Sequence, residues 1–74
     1  MKKINVKIYK DDRIGISSRD LTATECSIMQ QNLTDFWRRY NDYPFGLSDE
    51  IELIALFYGA TLGYFFVESV RFEK

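Results

Sequence analysis

The chain has 74 residues, one cysteine, no histidine and a net charge of −1, which bounds it to a single domain, residues 1–74, with a thin core. A lone Cys26 forms no internal disulfide, and without histidine both the usual general base and the commonest zinc ligand are missing, so we expect no enzyme, no cofactor and no metal site. Charge is uneven: residues 1–19 carry six Lys/Arg against two Asp, while residues 20–74 carry four against nine acidic residues, so one end should be basic.

Ile4, Val6 and Ile8 alternate with Lys3, Asn5, Lys7 and Tyr9, the period-two pattern of a half-buried strand. Asp11-Asp12 reads as a tight turn and Ile14–Ser17 as a second strand returning antiparallel. A helix starts near Thr22, where Thr22 and Glu25 have the spacing of a capping box, with Leu21 and Cys26 placed as a hydrophobic staple. Its apolar stripe is Cys26, Met29, Leu33, Phe36/Trp37 and Tyr40, and Gln30, Gln31, Thr34 and Arg38 fall on the other side. Asn41 to Gly46, with Pro44, ends it.

Ser48 is the expected N-cap of a second helix, with Asp49 and Glu50 where the dipole favours negative charge. From Leu53 to Val67 no residue is charged, which fits a buried helix and is too short for the ~20 residues of a bilayer span. Ala55, Gly59 and Gly63 recur every four positions and make a smooth face suited to close packing, on the chain's own core or on another copy. The later part of residues 64–72, aromatic and β-branched, reads as a third strand, with a continued helix as the alternative. The expected fold is α+β, a β-β-α-α-β domain with an antiparallel sheet and two helices on one face.

Candidate chemistry is sparse. Cys26 lies on the apolar stripe and reads as an inert thiol. Asp49, Glu50 and Glu52 are explained by capping, and no glycine-rich phosphate loop is present. Two surfaces remain. Trp37, Arg38, Arg39, Tyr40, Tyr43 and Phe45 cluster around the proline–glycine turn and are the residue types that dominate protein interfaces; the alternative is that Tyr43 and Phe45 form a lid over the core. Lys3, Lys7, Tyr9, Arg13 and Arg19 line the outward side of the first hairpin, an alternative basic face for nucleic acid or an acidic protein.

The expected function is therefore a small non-enzymatic protein-binding module. Chains of this size and type are common among phage and mobile-element inhibitors of host complexes, including anti-defence proteins, and that association is carried here as an expectation. The alternatives are a nucleic-acid-binding protein using the basic face, or a small assembly subunit. A protein partner or a homodimer is expected from the thin core, with no membrane partner. The first residues carry lysines without an apolar run behind them, so no export signal and a cytoplasmic location are expected.

Overall fold

A computed structural model describes residues 1–41 and 49–73 of the chain. Five elements follow in the order β1 (Lys2–Tyr9), β2 (Ile14–Ser17), α1 (Ala23–Tyr40), α2 (Glu50–Ala60) and β3 (Phe65–Glu73). The α+β order β-β-α-α-β is the expected one. Residues 64–72 resolve in favour of a strand.

The sheet is mixed, in the order β2-β1-β3, with β1 antiparallel to β2 and parallel to β3. An all-antiparallel sheet was expected, and the reason it fails is directional. Each successive element runs back along the one before it, so the first and fifth elements of the chain run the same way. The two helices supply the long connection that a parallel partner needs.

Period-two alternation places Ile4, Val6 and Ile8 of β1 and Ile14 of β2 on one side of the sheet, and a register shift in β3 brings both Val67 and Val70 to that side. They pack against Leu33 and Trp37 of α1 and Leu53 and Phe57 of α2, and all ten are buried in one cluster. Trp37 and Phe57, with ring centroids 5.8 Å apart, join the helices across the core. Among the described residues, the other side of the sheet carries no helix.

Local chemistry fixes the ends. Thr22 caps α1 as expected: its hydroxyl accepts from Glu25 N–H at 3.2 Å, and the Glu25 carboxylate accepts from Thr22 N–H at 3.1 Å. The cap of α2 is Asp49 rather than Ser48, which lies outside the described residues; the Asp49 carboxylate accepts from Ile51 N–H at 2.8 Å. An aspartate adds its charge to the helix dipole where a serine cannot. The β1–β2 turn closes with Asp12 at φ 63, and the Asp12 carboxylate receives the Trp37 indole N–H at 3.3 Å and the Asn41 amide at 3.1 Å. One turn residue thus ties the hairpin to the end of α1. Gly15 lets the Tyr9 ring lie close across β2, since a Cβ there would sit 2.9 Å from that ring.

Candidate functional site

Three surfaces differ in position and chemistry. The first is the expected cluster around the end of α1. Trp37 is 5% exposed and belongs to the core, so a contact role for it is corrected. Its spacing of four from Leu33 had placed it on the buried stripe from the start. Phe36 stacks on Tyr40 at 5.2 Å and turns an edge to Phe57, while Arg38 and Arg39 point into solvent. Tyr43 and Phe45, including their alternative role as a lid, lie outside the described residues. The fold therefore separates Trp37 from the two arginines.

The second surface is the uncovered side of the sheet. Lys3, Lys7, Arg13 and Arg19 are exposed there, and Arg13 stacks over the Tyr9 ring at 5.1 Å while pairing with Asp11 at 2.7 Å. Parallel pairing adds a cation from the far end of the chain: Arg71 sits beside Lys7 in register. Together with Asn5, Ser17 and Ser69 these two line a shallow hollow of about 220 Å³. Among the described residues Lys3, Lys7, Arg19 and Arg71 form no ion pair. Glu68 and Glu73 share this region, so the face is basic only in part; Glu68 accepts from the Asn5 amide at 3.5 Å.

The third surface was not foreseen. α2 buries Leu53 and Phe57, yet its opposite side is also apolar. Ile51, Ala55, Tyr58 and Gly59 all face solvent there, and Leu62 of the following turn extends the row. Ile51 is 74% exposed and Leu62 79%. The spacing of 0, 4, 7, 8 and 11 places them along one side of the helical path. Of the two packings expected for Ala55, Gly59 and Gly63, the one on the chain's own core is corrected: nothing lies within 4 Å of a Cβ built on Gly59, and Gly63 has left the helix at φ 75.

Leu62 sharpens the point. It holds φ 56, a conformation that costs a branched residue about 1–2 kcal/mol and a glycine almost nothing. The turn is set by Leu62 N–H donating to Gly59 C=O at 3.0 Å, Gly63 N–H to Tyr58 C=O at 3.3 Å, and the Thr61 hydroxyl to the same carbonyl at 2.8 Å. A strained backbone thus presents an apolar side chain to water. Exposed Tyr64 and Met1 line a hollow with Phe65, Lys2 and Asp20 at the start of β3. At the other end of α2, Asp49, Glu50 and Glu52 are all exposed and give the apolar strip an acidic border.

The sequence carried a signal for this strip, namely the absence of charge from Leu53 through Ala60. Among the described residues no group of Cys, Asp and Glu is gathered to hold a metal ion, and no helix is long and apolar enough to cross a membrane. No family model, curated protein or solved structure matches the chain.

Proposed function

We propose that this chain is a small non-catalytic protein-binding module, and that its contact surface is the outward side of α2 with the turn that follows. The observation that supports this is the exposure of Ile51 and Leu62 on a helix that already fills the core with its other side. Covering one such side chain contributes about 1.5–3 kcal/mol, whereas an exposed ion pair on the sheet contributes about 0–1 kcal/mol. On those magnitudes the helix outweighs the basic face. The partner's matching site is an apolar groove bordered by Lys or Arg, complementary to Asp49, Glu50 and Glu52. Binding there without chemistry is also how a small inhibitor occludes part of a larger complex.

The test is a pair of charge insertions. Ile51→Asp with Leu62→Asp alters only exposed positions, and aspartate tolerates the φ of Leu62, so the fold survives. Affinity for a partner captured from host extract by the unaltered chain should fall at least tenfold, about 1.4 kcal/mol. Lys7→Glu with Arg19→Glu should leave it unchanged. Full affinity in the first variant would overturn the assignment.

A second reading rests on the Lys7–Arg71 pair: the open sheet face as a site for a polyanion, nucleic acid included. Its signature is binding of single-stranded DNA that weakens steeply with salt and is abolished by Lys7→Glu with Arg19→Glu. The carboxylates of Glu68 and Glu73 on that side of the molecule make it the weaker reading.

A further inference from the structure

The two edges of the sheet are finished differently. On the β2 edge α1 supplies a cover: the Thr34 hydroxyl accepts the outward N–H of Ile14 at 3.2 Å. β3 is the longest strand, nine residues, and has β1 as its only neighbour in the sheet. Among the described residues, no backbone group of Phe65–Glu73 has a hydrogen-bond partner beyond that ladder. A bare edge of this length is a template for another strand. We propose that its occupant is a second copy of this chain, pairing antiparallel, β3 against β3, to make one six-stranded sheet.

The strand's own charges point to a second copy. Glu68 and Arg71 are three apart, and in a regular strand they would face opposite sides. The register slips at this place, with Val67 opposite Ile4 and Ser69 opposite Asn5, so Glu68 is an extra residue, a bulge. The bulge puts Glu68 and Arg71 on the same, helix-free side. Glu68 reaches Asn5 there, and Arg71 lines the hollow with Lys7 and Ser69. In an antiparallel pair with its twofold axis at Val70, the bulged pair Glu68–Ser69 of each copy stands opposite the other copy's Arg71. The same register runs the backbone edge at Val67 of one copy past Phe72 of the other, whose ring is 46% exposed. A strand that complements itself about a twofold axis is what an isologous dimer needs.

This pairing does not draw on the outward side of α2, so the two proposals fail separately. Sedimentation equilibrium should show a dimer at micromolar concentration. Glu68→Arg alone and Arg71→Glu alone each place like charges opposite each other and should weaken the dimer at least tenfold, while the combined reversal restores it to within a few-fold of the original. Both side chains are exposed, so circular dichroism should be unchanged. Without any substitution, amide protection along β3 should rise with protein concentration while that of β2 stays constant. A monomer at every concentration, a dimer that ignores the single reversals, or β3 protection independent of concentration would each overturn the proposal.

Discussion

Along α1, the side turned from the core carries Gln30, Gln31, Asn32, Asp35 and Arg38 with one exposed isoleucine, Ile28; along α2, beyond the acidic first turn, it carries Ile51, Ala55, Tyr58 and Gly59. Both helices rest on one sheet and feed one core, with Leu33 and Trp37 from the first and Leu53 and Phe57 from the second. The strands beneath them differ in the same sense. α1 supplies a side-chain acceptor to the edge of β2 and binds the hairpin through Asp12, whereas among the described residues the edge of β3 has no partner. One half of the molecule is finished against water, and the other half is apolar outside and unpaired at its edge. Folding alone does not require that asymmetry, because the core is already closed by side chains from both halves. Association does require it, since apolar cover and free ladder groups are what a partner has to meet.

Thr34→Val should break this contrast most strongly. The Thr34 hydroxyl accepts from Ile14 N–H and donates to Gln30 C=O at 2.7 Å. Valine keeps the shape and removes the acceptor, leaving a part-buried N–H without a partner at a cost of about 1–3 kcal/mol. Urea unfolding should register that loss, and exchange of the Ile14 amide should quicken so that the β2 edge resembles the β3 edge. Unchanged stability would mean that packing, not this bond, closes the β2 side.

Gly59→Ala sharpens the same contrast from the other half, with a smaller effect of opposite sign. A glycine inside a helix costs about 0.5–1 kcal/mol relative to alanine. The added methyl meets nothing within 4 Å, so the substitution should stabilise the isolated chain and raise Tm by a few degrees. A fall in Tm would show that the outward side of α2 is already covered in solution. The glycine therefore reads as a choice made for a surface, not for the core.

How much of this the residues disclose depends on the range over which each signal acts. Alternation in Ile4–Ile8 and the Thr22–Glu25 box are local, and both elements stand where the pattern places them. The direction of β3 is not local: it follows from counting reversals through both helices, and residues 65–73 read alone fit either orientation. Trp37 shows a conflict between two valid signals, since its residue type suits an interface while its position lies on the buried stripe. Position prevails because a thin core has use for its largest ring. Absence of charge over Leu53–Val67 reads as a buried helix, but the helix ends at Ala60, Phe65 begins β3, and only the side of α2 with Leu53 and Phe57 is buried, because layer number is not written in local hydrophobicity. The pairing of Glu68 with Arg71 on one face depends on a bulge, and no spacing rule in the sequence announces it.

The smallest expected effect concerns the join between the two layers. Lys2, at the start of β1, donates to the Glu25 carboxylate at 2.8 Å, and both side chains remain nearly half exposed. That hydrogen bond from Lys2, helped by the Thr22 N–H of the capping box, lowers the Glu25 carboxyl from 4.5 to about 2. The folded pKa is depressed below the unfolded one, so the contribution is complete above pH 4.5 and is lost as pH falls from 4.5 toward 2. Glu25→Gln keeps an oxygen that can accept from Thr22 N–H but carries no charge for Lys2 to meet. Its Tm should lie below that of the unaltered chain above pH 4.5, and the two curves should converge as acid protonates Glu25. Curves that stay parallel through that window would remove Glu25 as the group that clips the start of α1 to the sheet.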